Sequence, residues 1–276
     1  KEILKNCEEK KQPVIAVVGV IGTTEEGAID DIGEIDSLRK GGKISFWLHA
    51  DAAWGGYLAA MLWDESNEKI KSETDFEKKF AEIIDPGEIV MKENRDILTG
   101  LFKKLKSLSS ADSITIDPHK LGDVPYPCGG IVFKDRRIRD VISFQAPYIF
   151  HIQRKGGPEF IGRYILEGSK PGAAAVSCYL SHKVIPLNWS GYGYLMANTI
   201  KAAHLINKEL KGIKINGIKV ISVFEPQSNL VNFVVNLENN NSLKKMNLLT
   251  DKIYKKLSLY LEEEPKAVQL YENLVS

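Results

Sequence analysis

The stretch that most constrains this chain reads Ser113-Ile114-Thr115-Ile116-Asp117-Pro118-His119-Lys120. Its β-branched run suits a pleated strand, and a proline cannot continue a central one. Residues 113–116 therefore read as a buried strand that Pro118 stops. Lys120 is left at a strand end, where a loop can present it to a ligand. An isolated lysine is ordinarily a solvated surface group. Here the context argues otherwise, because a second strand end stands upstream. After the apolar run 44–48 come His49-Ala50-Asp51-Ala52-Ala53-Trp54-Gly55-Gly56. One strand end offers a carboxylate among small residues; the other offers a lysine behind a histidine.

The surrounding pattern sets the fold class. Residues 14–21 (VIAVVGVI) are a continuous apolar run, as in a strand buried on both faces of a parallel sheet. The loop 22–27 follows, then a helix to about Arg39 that Asp30 or Asp31 can cap. Residues 44–48 are the next strand. This alternation predicts an α/β fold, helices covering a mostly parallel sheet. Residues 1–11 read as a helix, and 54–63 turn into an apolar helix start. The charged stretch 64–91, with the turn signal Asp85-Pro86-Gly87, reads as a partly helical surface insertion, expected to be a mobile, solvated excursion. Residues 93–108 read as an amphipathic helix delivering the chain to the lysine strand.

Beyond Lys120, residues 128–133 read as a strand and 136–143 as a short basic helix capped by Asp135. Residues 145–158 have a loop composition. Residues 173–184 read as a helix of small residues, and Asn188 or Ser190 starts another through about Leu210. Two strands (220–224, 230–237) and a helix (243–261) follow. This change of order divides the chain into 1–211, part of a large domain with its linking helix, and 212–276, the beginning of a smaller C-terminal one.

Composition excludes several function classes. The 276 residues are 43% hydrophobic with a formal net charge of +1, which gives no sign of a nucleic-acid partner or an anionic membrane surface. No apolar run approaches the ~20 residues of a membrane span, and no signal-peptide pattern opens the sequence. Cys7, Cys128 and Cys178 are scattered without metal-ligand spacing, so no metal site is expected. They read as reduced thiols of a cytoplasmic protein.

The two strand ends together suit pyridoxal 5'-phosphate. A lysine bonds the cofactor aldehyde, and a carboxylate keeps the pyridine nitrogen protonated. Asp51 lies among alanines. A carboxylate there needs a partner, and a cationic ring is one. The competing reading is a helix cap before Ala-Ala-Trp.

Several ordered motifs also resemble the group II pyridoxal-phosphate-dependent amino-acid decarboxylases of fold type I. They are Gly22-Thr23-Thr24, Gly27-Ala28 with Asp30, His49 to Gly56, and Asp117-Pro118-His119-Lys120. Within that family, residues 113–132, 139–143 and 164–173, with Pro186-Leu187-Asn188 and Gly191-Tyr192-Gly193, resemble bacterial tyrosine decarboxylases, which also carry an insertion between the two principal motifs. The resemblance covers about residues 12–210. It implies that Lys120 carries the cofactor, Asp51 pairs with its ring nitrogen, Thr24 orients Asp51, Ala53 packs on a ring face and His119 contacts the phosphate. Some members have Asn where Asp117 stands. A carboxylate would repel phosphate, so Asp117 is expected to orient backbone or water instead. His49 is expected to be a packed supporting residue. Tyr126 and Tyr148 compete as the group that returns a proton to Cα, and either could simply pack. Gly168-Ser169-Lys170 is expected near a dimer interface.

The resulting expectation is decarboxylation of an L-amino acid, aromatic and tyrosine first, by a homodimer with its active site at the interface. Glutamate or aspartate is the alternative substrate, and a non-catalytic protein of the same fold is the alternative class. The resemblance also implies that the phosphate-binding turn and a ring-stacking side chain precede Lys1. The chain is thus expected to be part of a longer or nicked polypeptide, inactive alone, with the strand at 14–20 left uncovered on a sheet edge.

Overall fold

A computed structural model of the chain describes residues 1–41, 44–83, 95–143, 164–165, 169–215 and 217–257. A four-stranded sheet carries the two motifs. Its order is β1 (Ala16–Val20), β2 (Trp47–Asp51), β3 (Ser113–Ile116) and β4 (Gly130–Phe133). The first three strands are parallel, and β4 runs antiparallel to β3. Helix α1 (Glu2–Glu9) precedes the sheet and α2 (Ile32–Gly41) links β1 to β2. Asp31 caps α2, its Oδ1 accepting the Glu34 N–H at 2.9 Å. The neighbouring Asp30 turns back instead, and its Oδ2 accepts the Val20 N–H at 2.7 Å.

The two faces of the sheet differ. Leu48 and Ala50 of β2, and Ala52 just past its end, are fully buried. They lie against a core that includes a 3₁₀ segment (Gly55–Leu62), α4 (Arg95–Ser107) and α7 (Tyr192–Gly212). The other face carries His49 and Asp51, paired in register with Ser113 and Thr115. On that face Val18 is 54% exposed and Ile131 is 52% exposed. The double burial that the apolar run at 14–21 suggests is absent from the described sheet, which instead shows the uncovered edge expected of this chain. β1 is an edge of the described sheet, and one of its faces is open.

The charged insertion also differs from expectation. Its described part holds α3 (Glu73–Ile83), whose Phe76 and Phe80 are fully buried. Phe76 meets the Phe102 ring of α4 at 5.2 Å between centroids, and Phe80 meets Trp189 edge-on at 5.7 Å. Two phenylalanines four residues apart lie on one helix face, and their burial outweighs the pull of the flanking charges toward solvent. The described part of the insertion is thus anchored in the core through α3 rather than held out in solvent.

Helices α5 (Ile138–Ile142) and α6 (Ala173–Val184) follow β4. Past α7 lies a second, antiparallel sheet of order β5 (Lys214–Ile215), β6 (Ile218–Ser222) and β7 (Phe233–Leu237), with α8 (Leu243–Leu257) after it. The segment between β6 and β7 reaches the first sheet's loops. Gln227 Oε1 accepts the Ile29 N–H at 3.2 Å and the Lys104 ammonium at 3.1 Å. Asn229 Oδ1 accepts the Trp54 indole N–H at 3.2 Å, and the Asn232 amide donates to the Glu25 carbonyl at 2.7 Å.

Candidate active site at the strand ends

Parallel pairing puts the C-terminal ends of β1, β2 and β3 along one edge, the usual ligand position in an open α/β sheet. Backbone bonds tie the three loops together. The Gly55 N–H donates to the Ile21 carbonyl at 2.8 Å, the Ala52 N–H to Thr115 at 3.0 Å, and the Asp117 N–H to Ala53 at 3.3 Å. The aspartate motif and the lysine motif are thus adjacent, although 69 positions separate Asp51 from Lys120 in the chain.

Asp51 ends β2 half-buried. Its Oδ1 accepts the Ala53 N–H at 3.2 Å, the local cap that an aspartate before Ala-Ala-Trp can make. Among the described residues Asp51 has no ion-pair partner. Ala53 is half-buried beside it. His49 is a packed supporting residue, as expected, because both ring nitrogens are engaged by β3. Nδ1 lies 2.7 Å from Ser113 Oγ, and Nε2 lies 3.1 Å from Thr115 Oγ1.

Lys120 sits in a tight turn, with its N–H on the Asp117 carbonyl at 3.0 Å and its own carbonyl accepting the Asp123 N–H at 3.0 Å. The turn brings the two side chains together, and Lys120 Nζ lies 3.0 Å from Asp117 Oδ2. The Asp117 carboxylate thus engages the lysine of its own turn. His119 is exposed, and its Nδ1 bonds the Cys128 carbonyl, so Nε2 is the nitrogen free to meet a ligand.

Thr24 does not stand where the resemblance implied. It is exposed, and among the described residues no hydrogen bond joins it to Asp51. Its neighbour Thr23 is engaged locally, accepting the Ala28 N–H at 3.0 Å and donating to Glu26 at 3.1 Å. Tyr126 is half-buried six residues past Lys120, with its N–H on the Val124 carbonyl at 2.7 Å. Tyr148 and Gly168 lie outside the described residues. Ser169 and Lys170 are exposed.

A polar cluster beneath the lysine turn escaped the sequence reading. The Tyr57 hydroxyl lies 2.8 Å from His182 Nε2, and the Tyr192 hydroxyl donates to the Gly122 carbonyl at 2.6 Å. Cys178 Sγ lies 3.7 Å from His182 Nδ1. Burial pushes the Tyr57 phenol up and the His182 imidazole down, so a neutral phenol meets a neutral ring, and the imidazole tautomer sets which of the two donates. Burial likewise raises the Cys128 and Cys178 thiols, which marks them as packed rather than reactive groups. Partners so distant in sequence give no local signal.

Comparison with known proteins points to a family. Residues 1–98 match the pyridoxal-dependent decarboxylase conserved domain, and residues 199–272 match the tyrosine decarboxylase C-terminal domain. The chain is 40% identical over 268 residues to an L-tyrosine decarboxylase of Levilactobacillus brevis, covering 94% of this chain and 41% of the relative. It is 39% identical over 267 residues to an L-tyrosine decarboxylase of Enterococcus faecalis, covering 92% and 41%. Along both matched stretches the chain is similar to the pyridoxal-dependent decarboxylases. It spans about two fifths of the length of these curated relatives. The fold is also shared with a solved decarboxylase. Catharanthus roseus tryptophan decarboxylase, in complex with L-tryptophan, superposes with a TM-score of 0.62 at 12% identity, covering 99% of this chain and 52% of that one.

Proposed function

We propose that this chain belongs to the active site of a pyridoxal-phosphate-dependent L-amino-acid decarboxylase that converts L-tyrosine to tyramine and CO2. The observation that carries the reading is the seating of Asp51 and Lys120 at adjacent strand ends, joined through Ala53 and Asp117. This donor set fits the cofactor: a carboxylate without a cation of its own among the described residues, a primary amine, and a small side chain that leaves room for a flat ring. When bound, pyridoxal phosphate supplies a protonated ring that draws electrons from a bond to the substrate's Cα.

Asp51 holds the charge on the ring nitrogen, and Lys120 anchors the aldehyde end. His119, with Nδ1 committed to the Cys128 carbonyl, offers Nε2 to the phosphate. Tyr126, or Tyr148, returns a proton to Cα after CO2 leaves. Thr24 contributes only if its loop turns inward from the exposed position it holds here. Residues 1–211 act as part of the large domain and residues 212–276 as the start of the small one. The relatives' names support tyrosine as substrate. The family resemblance supports a homodimer working in the cytoplasm.

The test is amine release from L-tyrosine, L-glutamate and L-aspartate by the full-length protein, with light scattering for its mass. Tyrosine should be turned over fastest by a protein of twice the monomer mass. Preference for an acidic substrate would overturn the substrate assignment. A protein with no bound cofactor and no turnover would replace the enzyme reading with a non-catalytic one.

A further inference from the structure

The Lys120–Asp117 pair is built into the turn rather than being a chance surface contact. The Asp117 side chain is 18% exposed and that of Lys120 is 38% exposed. Asp117 is fixed at both ends of its backbone, its N–H on the Ala53 carbonyl and its carbonyl under the Lys120 N–H. Its carboxylate also occupies a space that glycine leaves open. A Cβ at Gly129 would stand 2.8 Å from Asp117 Oδ1, inside contact distance. Among the described residues no cation other than Lys120 is ion-paired with it.

A lysine that serves a carbonyl cofactor has two working states. It is bonded to the aldehyde carbon, or it is released when the substrate's nitrogen takes its place. Resting on the decarboxylase reading above, we propose that Asp117 is a positioning residue that holds the Lys120 amine in reserve before the cofactor arrives and takes it back at each release. On loading, the ammonium leaves Asp117 and gives a proton to solvent. Its nitrogen then bonds the aldehyde carbon, and the carbonyl oxygen departs as water. On release, the substrate nitrogen bonds the same carbon, the bond to Lys120 breaks, and the freed amine takes a proton from solvent and returns to the carboxylate. Asp117 is neither consumed nor bonded. Its effect is to make the lysine leave an ion pair before it can react, and to draw it away from the reacting carbon afterwards.

This role has a signature that a packing role lacks. Partly exposed ion pairs weaken as salt rises. Capture of an aldehyde by Lys120 should therefore accelerate with ionic strength only while Asp117 is charged. The probe is pyridoxal without its phosphate, so that salt does not act through a charged probe. It is added to the full-length protein stripped of cofactor, trapped with cyanoborohydride, and read by peptide mass spectrometry at Lys120. Asp117→Asn, nearly isosteric, should label roughly two- to fivefold faster than the parent at low salt and show little salt response. The parent should approach the variant's rate as salt rises. Equal or slower labelling of the variant would overturn the proposal. So would a parent rate that does not rise with salt, and that series needs no variant to fold. The decarboxylase reading is checked separately with pyridoxal phosphate itself. If the parent and the variant both fail to trap it at Lys120, that reading falls and the proposal falls with it.

Discussion

Tyr57 and His182 meet at 2.8 Å across 125 residues of chain, one in the 3₁₀ segment after β2 and the other on α6. The Tyr57 ring also packs edge-on against Tyr192, at 5.0 Å between centroids, and Tyr192 holds the Gly122 carbonyl. The lysine turn therefore rests on a hydrogen-bonded aromatic floor. A Cβ at Gly122 would meet Tyr57 Cζ at 2.3 Å and the Pro118 carbonyl at 2.5 Å, so only glycine lets the turn lie so close.

Removing the Tyr57 hydroxyl should loosen that floor. Tyr57→Phe leaves the half-buried His182 nitrogen without its partner, a cost of about 1 kcal/mol, the net worth of one hydrogen bond. Urea denaturation should show a lower midpoint at an unchanged slope. A midpoint equal to the parent's would mean that water replaces the phenol without loss.

The same pair sets a pH dependence. Burial holds His182 below its ordinary value of 6.5, so the folded chain binds fewer protons there than the unfolded chain. Stability contributed by the neutral ring is present above the unfolded pKa. It is lost as pH falls from there toward the folded pKa. His182→Gln keeps a hydrogen-bonding partner for Tyr57 but does not titrate, so its loss of stability between pH 7.5 and 5.5 should be smaller than the parent's. Parallel stability curves for the two proteins would remove His182 as the source.

The cofactor assignments separate by readout. Lys120→Ala should eliminate the borohydride-reducible cofactor bond in the full-length protein, whereas Asp51→Ala should leave that bond and impair turnover. Loss of a charge partner for the ring weakens electron withdrawal without touching the anchor. A reducible bond found at another lysine would sink the first assignment, and an Asp51→Ala protein as fast as its parent would sink the second.

Legibility followed the range of the forces involved. The strand at 113–116 and the helix at 173–184 were readable because β-branched runs and breakers act within a few residues. The positions of Asp51, at the end of β2, and of Lys120, in the turn just past β3, were readable because small residues or a proline follow each apolar run. Thr24 stands exposed and Thr23 is engaged locally, because a motif gives order along a loop but not the direction in which its side chains turn. β1 looked doubly buried because hydropathy reports what a face prefers, not what covers it. The Tyr57–His182 contact depends on how α6 packs, and no local pattern encodes that.

The insertion supplies the last prediction. A solvated excursion would tolerate loss of its aromatic residues, since exposed side chains change stability by little. Phe80 is instead fully buried between α3 and the Trp189 ring, beside Phe76 at 5.2 Å. Phe80→Ala removes a buried aromatic side chain and leaves a cavity that a helix anchored at both Phe76 and Phe80 cannot readily close. The cost should be about 3–5 kcal/mol. Trp189 also donates its indole N–H to the Met61 carbonyl at 2.8 Å, which joins this cluster to the 3₁₀ segment that carries Tyr57. The damage should therefore reach the lysine turn. Hydrogen exchange should quicken at the amides of residues 120–124 as well as along α3. A Phe80→Ala protein with parental stability and unchanged exchange at the turn would show that the helix is dispensable to the site.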